Sequence, residues 1–369
     1  MTKTVISAWS AVSPFGMGRD AFVGGFHDGR STVAPVDREQ WRTPDDEVCL
    51  VPGFTPAGAL GKKGTRAMDR ATGLAVSAVG RLIDESPAEP ATVSGEEVAL
   101  VLGTTSGSVQ SMMDFTRGGL VSEKPYFVDP ARFPNAVMNC AAGQCAIRHQ
   151  LKGPNATIAG GRVSGLHALK YSQRLLNAHR ARTVLCGAVE EYADARAWLD
   201  RHARGEDETG TVHGEGCVML RIEPEDSAQG TPLATVQAVE VGVFAGGGEN
   251  AAPVLDTCVR RALERSGTDP ADVWIVAPSG ARGALGDAEQ SVLDAHFDPA
   301  VVNRVSRLIG DTAGAAAMFQ MAGVLAVAER AGAAGRTAVV TAVDRDGEAG
   351  CAVLRLGQGL SGGSGSDRP

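Results

Sequence analysis

Lysine is scarce in this 369-residue chain, with six residues against 29 arginines, and aromatic residues supply only 5%. The net charge is -8, so no overall basic field draws the chain towards nucleic acid. No CxxC pair occurs, and the seven cysteines (Cys49, Cys140, Cys145, Cys186, Cys217, Cys258, Cys351) are odd in number and scattered without paired histidines. That argues against a disulfide framework or a structural zinc site, and the thiols read as buried small hydrophobes. No charged-then-apolar leader opens the sequence, which points away from secretion. The longest apolar stretch, Thr312–Ala328, contains Gln320 and is flanked by Asp311 and Glu329. It is short for a membrane span and reads as a buried helix. What remains is a globular balance, 43% hydrophobic and 21% charged, expected of a soluble cytoplasmic protein with no cofactor, no metal, and neither membrane nor nucleic acid as a partner.

The chain repeats itself. Arg182-Thr-Val-Leu-Cys-Gly-Ala-Val-Glu190 returns 154 residues later as Arg336-Thr-Ala-Val-Val-Thr-Ala-Val-Asp344. A second echo follows each copy: Gly214-Glu-Gly-Cys-Val-Met-Leu-Arg-Ile222 and Gly347-Glu-Ala-Gly-Cys-Ala-Val-Leu-Arg-Leu356. A small-residue helix pattern precedes each, Ser164–Ala178 and Thr312–Ala331. Three matches in one order indicate two duplicated halves, expected at 1–225 and 231–356, and not a solenoid of short units. The strand candidates Val98–Leu102, Val184–Leu185 and Val273–Val276 are continuously apolar, as strands covered on both faces are. The two helix patterns are apolar nearly all round and belong between sheets. A five-layer αβαβα architecture with two buried helices between two sheets satisfies both requirements. From Gly357 the SGGSGS composition predicts a flexible tail, 357–369.

Specific strings within this frame resemble the condensing-enzyme branch of the thiolase superfamily. Phe133-Pro-Asn-Ala-Val-Met-Asn-Cys-Ala-Ala-Gly-Gln-Cys-Ala-Ile-Arg148 followed by Lys152-Gly-Pro-Asn155 is similar to a run in type II ketosynthases. Ser13-Pro-Phe-Gly16, Gly187-Ala-Val-Glu-Glu191, Gly214-Glu-Gly216, Gly286-Asp-Ala-Glu289 and Gly314-Ala-Ala-Ala317 extend the likeness over roughly residues 3 to 356. The resemblance implies a nucleophilic cysteine at the start of the first buried helix, but that place holds Arg162. It implies a histidine before the Gly-Asp motif, where Ser279 stands, and a second in a Gly-His string that here reads Gly310-Asp311. The supporting lysine is replaced by Ser306, and the glycine-rich loop near the C-terminus has become Val343-Asp-Arg-Asp-Gly-Glu-Ala-Gly350, without its Phe.

Decarboxylative condensation needs a thiolate nucleophile and two imidazoles. Arginine offers no nucleophile and sits badly against a helix N-terminus. None of the seven histidines (His27, His149, His167, His179, His202, His213, His296) falls at either catalytic position. An unpaired buried cation is costly, so Arg162 is expected to form an ion pair with Asp311 across the former active site. A catalytically empty ketosynthase look-alike resembles the chain length factor, the ketosynthase β-subunit of type II polyketide synthases. That resemblance implies a heterodimer with a ketosynthase α-subunit, transient contact with acyl carrier protein, and a tunnel for the growing polyketide chain.

Within Gly103–Thr116 the family places interface and tunnel-gating side chains. Met112, Phe115 and Thr116 share a helical face, with Met113 beside it. The basic cluster Lys62, Lys63, Arg66 and Arg70 matches a region that docks the acidic carrier protein in active ketosynthases. Two other readings stay open: a repurposed acyltransferase, hydrolase or decarboxylase using Ser279, Ser164 or Asp311 with Arg162, and a homodimeric scaffold that binds carrier protein.

Overall fold

The computed structural model describes residues 3–86, 94–298 and 301–360. In chain order the first half supplies β1 (Thr4–Ser13), α1 (Arg19–His27), α2 (Arg70–Glu85), β2 (Val98–Thr104), α3 (Val109–Val121), α4 (Cys140–His149), β3 (Asn155–Ala159), α5 (Ser164–Asn177), β4 (Thr183–Glu190), α6 (Asp194–Ala203) and β5 (Gly216–Pro224). The second half supplies β6 (Ala234–Val243), α7 (Ala251–Ser266), β7 (Val273–Ala277), α8 (Gly283–His296), β8 (Val301–Val302), α9 (Ala316–Ala331), β9 (Thr337–Asp344) and β10 (Glu348–Leu356). The first half lies in the order β1-β5-β4-β2-β3 and the second in the order β6-β10-β9-β7-β8. Polarity matches as well. In each half two antiparallel pairings lead into two parallel ones. The duplication read from the sequence is thus a repeat of topology.

The two sheets are not separate. β1 and β6 pair antiparallel through Thr4–Val236, Val5–Thr235 and Ile6–Ala234, which joins the halves into one continuous hydrogen-bonded sheet. It wraps around α5 and α9. Side-chain alternation along the strands follows the period of two: Val184, Cys186, Ala188, Val218 and Leu220 face the central helices, while Leu185, Val189, Cys217 and Met219 face the outer layer of α2 and α4. In the second half Ala338, Val340 and Ala342 point inward, and Val339 and Val343 meet α7 and α8. The layers therefore run αβαβα, as expected.

The apolar stretch predicted as a buried helix is α9, buried along nearly its whole length and stopped by Gly332 in the left-handed region. The central helices touch at Gly165, where a Cβ would come 3.1 Å from Ala317 Cβ and Met318 Cγ. The tail expected from Gly357 starts out tethered, since Gly357 N donates to Leu233 O at 2.7 Å and Gly359 N to Pro232 O at 3.1 Å. Residues 361–369 of that tail lie outside the described residues. Among the described residues no helix is long and apolar enough to cross a membrane.

Replacing Gly165 with Val forces α5 and α9 apart, and an overpacked core contact of this kind costs about 1–3 kcal/mol. Urea unfolding of Gly165→Val is expected to show that loss; an unchanged midpoint would mean the helices do not meet there.

Candidate functional site

Arg162 lies in the tight turn Gly161–Val163 that leads into α5, with its side chain 7% exposed. Its Nη2 is 2.5 Å from Asp311 Oδ2, and its Nη1 is 3.9 Å from Asp344 Oδ2. The expected Arg162–Asp311 pair is present, with a second carboxylate that the sequence reading missed. Burial opposes the guanidinium charge, but Asp311 and Asp344 outweigh it and push the pKa of Arg162 further up. Burial likewise opposes ionised Asp311, yet Arg162 and Arg196 hold its carboxyl well below the usual range.

Asp344 also resolves the clash between a cation and a helix N-terminus, because its Oδ2 accepts Arg162 N at 2.8 Å. The other half mirrors this. Glu190 Oε2 accepts Gly314 N, ahead of α9, at 3.1 Å. Glu190 ends β4 and Asp344 ends β9, so each half's strand-terminal acid caps the other half's central helix. Glycine is required at Gly161, whose φ is +49° and where a Cβ would lie 2.2 Å from Asp344 Oδ2.

The structure brings Arg162, Ser279, Ser306 and Asp311 together. Ser279, Ser306 and Asp311 line one void of about 10 Å³, and Arg162 closes on Asp311. Ser279 is tied down: its Oγ donates to Glu289 Oε2 at 2.6 Å, while Glu289 Oε1 accepts Ser279 N and Thr341 Oγ1. The ion pair is a wall shared by two cavities. One, of about 360 Å³, is lined by Ser306, Glu289, Arg282 and Arg304. The other, of about 280 Å³, is lined by Val109, Glu190, Leu199, His213 and Arg345. A larger cavity of about 480 Å³ lies elsewhere, beside Glu96, His179 and Arg182. It holds none of the positions singled out for chemistry.

Arg196, buried, donates to the carbonyls of Glu191, Gly214 and Asp311 and so fixes the backbone around the pair. His213 is buried between Asp45 and Asp200. Neither residue was legible: both contacts cross the chain, and nothing local sets His213 apart from the other six histidines. Six of the cysteines are buried and Cys140 is half-buried. Burial pushes the Cys258 thiol up to about 11 and that of Cys186 up to about 12, so they stay protonated at neutral pH. Among the described residues no three His, Cys, Asp or Glu side chains converge as metal ligands.

One expectation needs correction. Arg70 does not belong to an exposed docking cluster. Its guanidinium makes a two-pronged 2.6 Å contact with the buried Glu215 carboxylate, donates to Phe54 O and stacks over Trp41 and Phe54. Lys62, Lys63 and Arg66 are exposed. On α3, Val109 and not Met112 lines the 280 Å³ cavity. Met112 and Met113 are 38% and 44% exposed. Thr116 Oγ1 donates to Met112 O at 2.8 Å, and Phe115 packs edge-on against exposed Phe133. The spacing correctly placed these side chains on a helix, but in the single chain they face outward.

Removing one partner from a buried pair leaves an uncompensated charge, so Asp311→Asn is expected to cost about 3–5 kcal/mol in urea unfolding. The double variant Arg162→Met/Asp311→Leu is expected to recover most of that loss; equal losses in both would deny that charge is the cause. A second prediction concerns Glu191, whose carboxyl burial and nearby Asp69 push up to about 8, against hydrogen bonds from Ser108 and Ala71 N. The folded state therefore keeps a proton that the unfolded chain releases above about 4.3, and stability falls as pH rises towards 8. Thermal midpoints of Glu191→Gln between pH 5 and pH 8 are expected to lack this slope.

Comparison with known proteins agrees with this geometry. The fold superposes on the structure described as the ishigamide ketosynthase/chain length factor with a TM-score of 0.89 and 41% identity, covering 96% of this chain and 99% of that one. The 3-oxoacyl-[acyl-carrier-protein] synthase 2 of Synechocystis sp. is 26% identical over 61% of this chain, which spans only 58% of that protein's length. The Coxiella burnetii protein of the same description is 24% identical over 88% of this chain and 86% of its own length. Residues 1–228 match the family described as "Beta-ketoacyl synthase, N-terminal domain", and the chain belongs to the beta-ketoacyl synthase family.

Proposed function

We propose that this chain is a non-catalytic ketosynthase-like subunit that pairs with an active ketosynthase and shapes the chamber receiving the polyketide, thereby setting chain length. The observation that carries this reading is the buried Arg162–Asp311 pair, at the position where the sequence resemblance puts the family's nucleophile. A guanidinium attacks no thioester, and Ser279 and Asp311, which line the void beside it, carry no imidazole to manage a proton or the malonyl carboxylate. The 41% identity with a ketosynthase/chain length factor supports the same reading.

The outer surface supports the pairing. Among the described residues β3 ends the sheet with one edge unpaired, and its residues are exposed or half-buried. Ile147 (67% exposed) lies on α4, which packs against β3, and Leu120 (81%) on α3 and Phe133 (55%), which meets Phe115 of α3, add further exposed apolar surface. An open edge beside apolar side chains is a liability unless another chain covers it. Met112, Met113, Phe115 and Thr116 lie in the same region, and an adjoining ketosynthase turns their outward face into chamber wall. Lys62, Lys63 and Arg66 offer the acidic carrier protein a weak electrostatic contact. The repurposed-enzyme reading is disfavoured because Ser279 and Ser164 are 4% and 0% exposed, and Ser164 Oγ donates to backbone carbonyls.

Native mass spectrometry of the chain co-expressed with its cognate ketosynthase is expected to show a one-to-one complex. Arg162→Cys alone is expected to restore no condensation from malonyl- and acyl-carrier protein, since Ser279 and Asp311 supply no imidazole. A homodimer indifferent to the ketosynthase, or carbon dioxide release by the lone chain, would overturn the proposal.

A further inference from the structure

The cavity of about 360 Å³ on one side of the Arg162–Asp311 pair is lined by four arginines, Arg162, Arg282, Arg304 and Arg307, and by two acids, Glu289 and Asp311. Both acids are already engaged. Asp311 Oδ2 accepts Arg162 Nη2 and its Oδ1 accepts Ala313 N, while buried Glu289 accepts Ser279 N, Ser279 Oγ and Thr341 Oγ1. Among the described residues Arg282, Arg304 and Arg307 form no ion pair. The chain has acids to spare, with 43 Asp and Glu against 35 Lys and Arg. Other arginines at its surface find them: Arg38 meets Asp46, Arg182 meets Glu97 and Arg260 meets Asp256.

Neutral groups hold two of the three in place. Arg282, the residue before α8, donates from Nη1 to Thr209 O at 3.4 Å, and Arg304 Nη2 donates to Gln290 Oε1 at 3.2 Å. Gln290 presents that oxygen because its Nε2 donates to Asp294 Oδ1 at 2.6 Å. Arg307 lies on the short helix Ser306–Ile309, which Thr32 pins by donating from N and Oγ1 to Leu308 O at 2.9 and 2.7 Å. Ser306 adds a hydroxyl with no hydrogen-bond partner among the described residues. A solitary exposed arginine is solvated charge and nothing more. Three that share one concavity raise a positive potential between walls of Val33, Val212 and Pro278, and they repel one another until a counter-charge enters.

We propose that this cavity binds a small, freely diffusing dianion, a phosphate ester or a dicarboxylate, gripped by Arg282, Arg304 and Arg307 and stopped at the Arg162–Asp311 wall. The planar fork of a guanidinium matches the oxygens of either group, which a lysine ammonium does not. The volume lies within the range of small-molecule sites, roughly 300–1,000 Å³, so the cavity takes a ligand body as well as its charged end. Arg162 adds little to the grip, because Asp311 and Asp344 already neutralise it. The inference stands independently of the subunit reading, because it concerns a cavity within one chain and needs neither a ketosynthase nor a carrier protein.

The test is isothermal titration calorimetry with phenyl phosphate and with succinate on the full chain, or on its complex if it is isolated as one. Ionic strength is held constant with sodium chloride, so that general screening is the same in every titration. At least one probe is expected to bind saturably with one site per copy of this chain, and the tighter of the two names the ligand class. Arg304→Gln and Arg307→Gln are each expected to weaken binding about ten-fold, the loss of one charge-assisted hydrogen bond, and the double variant to abolish it. Lys62→Gln/Lys63→Gln, which removes exposed charge elsewhere, is expected to bind as the wild type does. Failure of both probes to saturate overturns the proposal, as does wild-type affinity in the arginine variants. An equal loss in Lys62→Gln/Lys63→Gln also overturns it, because overall charge and not this cavity would then attract the anion.

Discussion

A buried guanidinium between two carboxylates decides what the centre of this molecule is. Arg162 comes from the first half of the chain, whereas Asp311 and Asp344 come from the second. Their contact closes the interior where the halves meet. Such an arrangement is weak evidence for stability, because desolvating three charged groups is expensive and well-packed apolar side chains hold as well. Its contribution is registry. With Asp344 satisfying the Arg162 amide and Glu190 satisfying that of Gly314, each half fastens the helix of the other, and neither central helix shifts without breaking a charged contact.

Much of this was legible because the chain states it twice. Glu190 and Asp344 are the last residues of the repeated nine-residue string, and that equivalence reappears in space as the reciprocal caps. The Arg162–Asp311 pair followed from matched positions at the starts of two buried helices. Other features were hidden for a common reason. Arg70 stands near Lys62, Lys63 and Arg66 in sequence and so reads as surface charge, yet its acceptor, Glu215, is 145 residues away. His213 likewise looks ordinary, because its two carboxylates belong to a loop and a helix that meet it only after folding. Helical spacing correctly grouped Met112, Phe115 and Thr116, but periodicity says which side chains share a face and not what covers it. The continuous sheet was also missed, since three residue pairs between β1 and β6 leave no pattern in hydropathy.

The halves are alike in topology and unlike at their edges. β3 has five residues at one end of the sheet, while β8, at the other, has two. A short terminal strand offers little template for another chain, so the second half blunts its edge and the first half leaves its own open. The two halves thus share one architecture and differ in the strand that ends the sheet.

The seam between β1 and β6 has a consequence for how the protein is made. Thr4 pairs with Val236, so during synthesis β1 waits for more than 200 further residues before its neighbour β6 exists. Contacts of such sequence separation are closed late, because loop entropy has to be overcome before they give anything back. Until then β1 presents a bare strand edge, the kind of surface that chaperones attend to. A fragment cut after β5 would keep that edge exposed, although it carries its own five-strand order.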